Sequence, residues 1–409
     1  MNRVERYFMP NSPKLIDLAF KSKNLYNCAT FIMRQNFIHN GKIINYPRMD
    51  KIIKRDYEDV YRALPAQTTQ QILRLIEKDW KSFFKANRRF KKNPEVFTGK
   101  PKLPNYKDKT EGLGIIIFTN QQCKIKNNFV HFPKAVGLDP IKTTVNVFSQ
   151  VRIIPKFKHF VIEIVYSRQP IKNKVDFKNV FGIDLGLNNL ATLVSNQLKV
   201  PPMLINGRPL KSINQFFNKT KAELMSNIGD KGSSNKIGKL SLKRECKMND
   251  YMHKASRSII DYAIGTKTGT IIVGENEGWK QKIKTGKKNN QNFVSVPLDK
   301  LKEMIAYKAE DNGIQVIFTE EAYTSKASSL DKDPIPAYSP ENKLSFTGKR
   351  IKRGLYQWSK GIINADLNGA LNIIRKEVPE SLDELIRIRN RGCGFQPFKV
   401  LEKKKKSLF

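Results

Sequence analysis

The chain has 409 residues, enough for two or three domains, and carries 75 Lys and Arg against 37 Asp and Glu, a formal net charge of +38. An excess that large, spread along the whole length, implies a polyanion partner, foremost nucleic acid, because self-repulsion on this scale is costly without counter-charge. The isolated Cys28, Cys123, Cys246 and Cys393 exclude a disulfide framework and a Cys-x-x-Cys zinc site, and no apolar run reaches the roughly 18 residues of a membrane span or resembles a signal peptide, so a cytoplasmic protein is expected.

Helical periodicity runs over residues 13–40 and, more strongly, over 66–89, where Ile72, Leu73, Leu75, Ile76, Trp80, Phe83 and Phe84 mark an apolar stripe behind Pro65. Lys78 and Lys81 lie with Arg74 and Lys85 on its basic flank, a pattern that phosphate contact and plain solvation share. Residues 13–97 therefore read as a helical domain. Lys100-Pro-Lys-Leu-Pro-Asn-Tyr-Lys-Asp-Lys109 reads as a Pro/Lys-rich linker. Strand candidates follow at 114–119, 122–125, 129–132, 145–154 and 160–166. With residues 3–9 they suggest a small β-barrel or sandwich, built from 1–12 and 98–177 and interrupted in sequence by the helices.

Residues 178–376 have a different texture. Val180–Val194 reads as two apolar strands around a Gly/Asn turn, with Gly182, Asp184 and Gly186 on one face. A carboxylate flanked by glycines on one strand face leaves room for a metal ion and a nucleic-acid backbone. Further on come a strand at 197–205, helices at 209–228 and 236–264, a strand at 270–274, a helix at 297–312, a strand at 314–319 and a helix at 364–376. A hairpin followed by strands alternating with helices is the order of an RNase H-like α/β layer. In the last helix, Asp366, Gly369, Ala370 and Ile373 fall at i, i+3, i+4 and i+7, so a small-residue face can press onto the sheet with the carboxylate at its rim. The tail, 377–409, ends in Lys403–Lys406 and reads as a solvated charge run.

Two aspartates need a further acid to hold a pair of Mg²⁺ ions about 3.5–4 Å apart for phosphodiester hydrolysis. Glu275 and Glu321 each stand at the carboxyl end of an apolar strand, where α/β sites assemble, and local pattern does not separate them.

The order Gly182-Ile-Asp-Leu-Gly-Leu, Val273-Gly-Glu-Asn-Glu-Gly-Trp-Lys-Gln, Glu321-Ala-Tyr-Thr-Ser-Lys, Gly348-Lys-Arg-Ile-Lys-Arg-Gly-Leu-Tyr and Asn364-Ala-Asp-Leu-Asn-Gly resembles the TnpB family. These are transposon-encoded RNA-guided nucleases with a RuvC domain, close to the ancestors of the type V CRISPR effectors. The likeness extends to Leu64-Pro-Ala-Gln and to Lys100-Pro-Lys-Leu-Pro-Asn-Tyr. It implies an α/β RuvC nuclease domain beside a wedge barrel and a helical recognition domain. The activity it implies is Mg²⁺-dependent cutting of double-stranded DNA next to a short flanking motif, directed by a guide RNA. Asp184 matches the family's first RuvC carboxylate and Asp366 its third. At the usual position of the second stands Gly274, with Glu275 one residue late. A branch of the family supplies that acid from the segment before Tyr-Thr-Ser, which makes Glu321 the favoured second carboxylate and Glu275 its substitute.

Many relatives carry a four-cysteine finger before the last helix. Tyr323–Asp331 has no cysteine, so no structural zinc is expected, and 320–360 reads as a degenerate finger-like insert whose Lys349, Arg350 and Arg353 pack or bind backbone. The basic helix with Lys239, Lys243, Arg244, Lys247 and Arg257 resembles the family's bridging helix beside the guide–target duplex. Trp279 and Lys280 suit a single strand through stacking and phosphate pairing. The resemblance also admits a nuclease-inactive RNA-guided repressor and a compact CRISPR effector, and places the protein in a prokaryotic cytoplasm at the nucleoid. It leaves the oligomeric state open.

Overall fold

Two units make up the chain in the computed structural model, Met1–Gln169 and Pro170–Phe409. The structure describes residues 2–157, 159–171, 173–229, 234–275, 296–339, 341, 344–389 and 396–401. No helix among them is long and apolar enough to cross a membrane.

In the first unit, helix α1 (Pro13–Asn40) begins where the Ser12 hydroxyl accepts from Leu15 N–H, with Pro13 fitting the first turn. It ends at Gly41, whose φ of 64° suits a residue without Cβ. α2 (Tyr46–Asp56) and α3 (Glu58–Arg62), which periodicity did not reveal, connect it to α4 (Ala66–Lys92). The signal for α2 was present as Asn45-Tyr-Pro47, since Asn45 caps the helix by accepting from Arg48 N–H at 3.1 Å. Leu15, Leu25, Ala29 and Met33 of α1 share a core with Ile72, Leu73, Ile76 and Trp80 of α4.

Strand β1 (Asn2–Pro10) pairs antiparallel with β7 (His159–Ser167), so the first residues join a sheet completed by β6 (Gln150–Lys156) and β2 (Ile116–Thr119). A separate three-stranded sheet holds β3 (Lys124–Lys126), β4 (Phe129–His131) and β5 (Ile141–Lys142). The strand expected from 145 starts only at Gln150. The Glu5 carboxylate takes the hydroxyls of Thr143 and Thr144, and Val145 N–H bonds to Thr143 Oγ1, so the backbone turns there.

The second unit is built on a six-stranded mixed sheet. Its order is β12 (Gln315–Glu320), β11 (Thr268–Glu275), β8 (Asp176–Leu185), β9 (Asn189–Ser195), β10 (Met203–Asn206) and β16 (Phe398–Val400). β10 is shorter than expected because Pro201 and Pro202 offer no N–H to the ladder. β8 and β9 form the antiparallel hairpin. β11 runs parallel to β8 and β12 parallel to β11, so three carboxyl ends meet at one edge.

Alternation along β8 sends Phe181 and Ile183 into one core with Met252, Ile259, Leu301 and Ile305, which come from α6 (Asn235–Gly265) and α7 (Leu298–Glu310). Val180 joins a second core on the opposite face, formed by Leu367, Ala370, Leu371 and Ile374 of α8 (Ala365–Glu377). The end of the expected finger-like insert, with the residues just after it, is an antiparallel meander of β13 (Lys349–Lys352), β14 (Leu355–Trp358) and β15 (Gly361–Asn364), which runs directly into α8.

Candidate active site

Asp184 points to the α8 face because it shares strand parity with Gly182. That glycine is what lets the helix approach: a Cβ there would stand 2.3 Å from the Ala370 carbonyl oxygen. On the helix, Gly369 makes the matching concession, since its Cβ would lie 2.8 Å from Asp184 Oδ2. Two missing side chains thus seat the first turn of α8 against the end of β8. Asn364 caps that turn by accepting from the N–H of Asp366 and Leu367, which leaves Asp366 where the helix dipole favours a negative charge. Asp366 Oδ2 accepts from Asn189 Nδ2 at 2.8 Å, and Oδ1 lies 3.8 Å from an Arg350 nitrogen.

The third acid arrives from the neighbouring strands. The register that sets Val273 beside Ile183 brings Gly274 level with Asp184. A Cβ at Gly274 would stand 2.1 Å from Glu321 Oε1 and 2.5 Å from its Cγ, so the Glu321 side chain lies in the space that a side chain at position 274 would fill. Asp184, Gly274, Glu321 and Asp366 line one cavity of about 670 Å³, together with the cations Arg208, Lys302, Arg350, Arg353 and Lys399. Glu275 is not among its lining residues. Its carboxylate accepts from Lys302 Nζ at 2.9 Å, and the same ammonium stands 3.1 Å from Asp299.

Electrostatics follow from this crowding. Burial, then the charges of Glu321 and Asp366, hold the Asp184 carboxyl well above the usual range, and Arg350 opposes them. Burial likewise pushes the Glu321 carboxyl up to about 7, against Lys302 and Lys376 and with Glu275. The cluster is a set of hard oxygen donors whose like charges crowd one another at Asp184. Among the described residues, however, no group of three acidic, Cys or His side chains already stands arranged to hold an ion.

The other expected binding residues are placed unevenly. Arg350 and Arg353 line the cavity, and Lys349 is exposed on the same strand as Arg350. Lys239, Lys243 and Lys247 form an exposed row on α6 at four-residue spacing. Arg244 turns inward instead: its Nε donates to Asn214 at 2.7 Å and its guanidinium lies 5.0 Å from the Phe217 ring centroid, clasping α5 (Arg208–Ser226). Arg257 pairs with Asp261 at 2.6 Å. In the first unit, Lys78 is exposed and Lys81 pairs with Glu77 at 2.6 Å. Trp279, Lys280 and Lys403–Lys406 lie outside the described residues.

Sequence reasoning missed Asn189, Lys302 and a buried asparagine ladder. Asn368 and Asn372 are fully buried on α8. Asn368 accepts from Ser329 N–H and Oγ and donates to the Ala327 carbonyl, while Asn372 donates to Thr324 and Ala327 carbonyls. The segment that begins three residues after Glu321 is therefore bolted to the helix that carries Asp366. Farther along it, Asp331 accepts from Ser328 and Ser359, and Asp333 from Ser328 and Thr347, which ties the meander down as well. A signal existed, because Asn364, Asn368 and Asn372 recur every four residues through a run, Asn364–Ile374, whose other residues apart from Asp366 are apolar or glycine.

Residues 163–280 match the family model OrfB_IS605, described as "Probable transposase", and residues 299–373 match that of the Cas12f1-like TNB domain. The CRISPR-associated endodeoxyribonuclease Cas12f2 of Micrarchaeota archaeon (strain CG1_02_47_40) is 27% identical over 228 residues, which is 54% of this chain and only 40% of that protein's length. The TnpB-like protein ORF457 of Acidianus two-tailed virus is 24% identical over 428 residues, covering 91% of this chain and 85% of that one. Among solved structures, Cas12f1 in a complex with sgRNA and target DNA has a similar fold, with a TM-score of 0.53 at 17% identity over 87% of this chain and 81% of Cas12f1.

Proposed function

Starting from a chain that belongs to the TnpB family, related to the type V CRISPR effectors, we propose that it is an RNA-guided DNA endonuclease. In this reading the second unit is an RNase H-like RuvC nuclease, the strands of the first form a wedge barrel, and its helices serve recognition. Guide pairing reads the target sequence, while the protein reads a short flanking motif and the shape of the heteroduplex, in a prokaryotic cytoplasm at the nucleoid.

The observation that carries the reading is the meeting of Asp184, Glu321 and Asp366, from three distant segments, in one cation-rimmed cavity. The donor set suits magnesium: oxygens only, room left by the absent side chains of Gly274 and Gly369, and acids whose mutual repulsion a divalent cation would relieve. Asp184, Glu321 and Asp366 would hold it, and bound Mg²⁺ would supply charge neutralisation and an activated water for attack on phosphorus. Asn189 holds Asp366 in place. Arg350, Arg353 and Arg208 offer charge to the scissile phosphate and its neighbours. Glu275, tied to Lys302, serves the fold of the site rather than the ion.

Cleavage of a target plasmid by the RNA-loaded protein tests the proposal. Asp184→Asn, Asp366→Asn and Glu321→Gln should abolish cutting and leave RNA and target binding intact, while Glu275→Gln keeps a measurable rate. Retained cutting by either aspartate variant would overturn it. Because the three acids do not yet stand arranged around an ion, a nuclease-inactive RNA-guided repressor is the second reading, and the absence of any Mg²⁺-dependent, EDTA-sensitive breaks would favour it. Sequencing the RNA that co-purifies separates a transposon-derived guide from a CRISPR array.

A further inference from the structure

The Pro/Lys-rich segment that reads as a linker is strapped along α1. Arg34 donates to the Pro104 carbonyl through Nη2 at 2.5 Å and Nε at 3.1 Å. Asn27 bonds both ways to the Lys107 backbone, donating at 2.9 Å and accepting at 2.8 Å. The buried Lys23 ammonium donates to the Lys109 carbonyl at 2.6 Å, and Gly114 N–H donates to the Ala19 carbonyl at 2.8 Å. At that crossing only a glycine fits, since a Cβ on Gly114 would stand 2.5 Å from Ser22 Oγ. A segment with this composition would ordinarily be a semi-rigid spacer in water. Here the cost of ordering it is met when the unit folds, so a ligand need not meet it again.

What the strap turns outward is specific. Lys100, Lys102, Asn105, Tyr106 and Lys109 are all exposed. Tyr106 keeps 43% of its surface in solvent, and the Arg34 guanidinium lies 4.7 Å from its centroid. One ring face is thus backed by a fixed cation, which leaves the other to accept a flat, electron-rich partner. From Lys102 to Lys109 an extended chain reaches at most about 25 Å, several nucleotides of a backbone. Asp108 interrupts the row just before Lys109, its carboxylate engaged by the N–H groups of Thr110 and Glu111.

We propose that this strap is a binding site for an unpaired polynucleotide strand, in which Lys100, Lys102 and Lys109 meet phosphates and Tyr106, backed by Arg34, stacks a base. A stacking platform requires an open base face, which a paired duplex does not offer. An acidic peptide would use the lysines but leave the ring idle. The site does not rest on the nuclease reading, because neither the carboxylates nor a metal ion takes part.

The test uses the full chain stripped of nucleic acid, in EDTA, with fluorescent 20-nucleotide poly(U) and poly(dT) titrated by anisotropy over a range of salt. Tyr106→Ala should weaken binding about tenfold, and Tyr106→Phe, which keeps the ring, should bind like the parent. The Lys102→Ala/Lys109→Ala double variant should make log K fall less steeply with log salt, by about 1.4. A loss on poly(U) alone makes the strand RNA and a loss on poly(dT) alone makes it DNA; either supports the site. A 4-thiouridine oligonucleotide should crosslink to the peptide containing Tyr106, a readout that needs no variant to fold. Binding within twofold of the parent for both the alanine and double-lysine variants, with unchanged salt slopes and no crosslink on that peptide, overturns the proposal. So does an equal loss on a blunt duplex.

Discussion

Replacing Gly274 with alanine separates the position of Glu321, the proposed second acid, from the stability of the fold. The added carbon would land 2.1 Å from Glu321 Oε1, whereas ordinary contact begins at 3.4 Å. The carboxylate must therefore retreat by about 1.3 Å, the difference between those distances. The clash takes in the Glu321 Cγ, 2.5 Å away, as well as the carboxylate, so the flexible side chain must swing as a whole to another rotamer, at a cost of order 0.5–1.5 kcal/mol. Catalysis is less forgiving, because a displacement of about 1 Å at a reacting centre can cost on the order of 10²-fold. Gly274→Ala should accordingly cut a target plasmid about a hundredfold more slowly in single turnover with saturating RNA-loaded protein, while its melting temperature moves by no more than 1–2 °C. A rate within threefold of the parent would show that the chemistry does not need Glu321 where it lies. Gly182→Ala makes the contrast: its Cβ would meet the Ala370 backbone oxygen at 2.3 Å, which cannot turn aside. That variant should lose stability by roughly 1–3 kcal/mol in urea denaturation as well as activity.

Asn368→Ala should destabilise the protein by about 2–4 kcal/mol, read by chemical denaturation, because it strands the buried Ser329 N–H and hydroxyl away from water. Stability should also depend on pH in a particular direction. The folded Glu321 carboxyl titrates near 7, above the usual carboxylate range, so the native state binds the proton more tightly than the unfolded chain. Its contribution is complete below about pH 4.5 and is lost as pH rises through about 7. In EDTA the melting temperature should fall over that window, Glu321→Gln should flatten the fall, and added Mg²⁺ should oppose it; a metal-free protein whose melting temperature rises from pH 5 to 7 for reasons that Glu321→Gln leaves intact would contradict this account.

Asp184 and Asp366 were legible from local pattern alone. Strand alternation puts Asp184 on the face of Gly182, and helical spacing puts Asp366 above Gly369 and Ala370, so each chain segment carries its own evidence of facing a partner. The expected helices at 13–40, 66–89 and 236–264 and the Asp184 hairpin were readable for the same reason, since period and caps are properties of neighbouring residues. Glu275 and Glu321 could not be told apart this way. Both end apolar strands, and what separates them is a lateral relation: β11 and β12 lie side by side, Lys302 draws Glu275 away, and the missing side chain of Gly274 leaves Glu321 the space beside Asp184. The inward turn of Arg244, the asparagine ladder under α8 and the strap along α1 were hidden likewise, each depending on a partner from another part of the chain. Periodicity records which way a side chain points; it carries no information about what will be standing there, because that is set by strand register and helix packing across residues far apart in the chain.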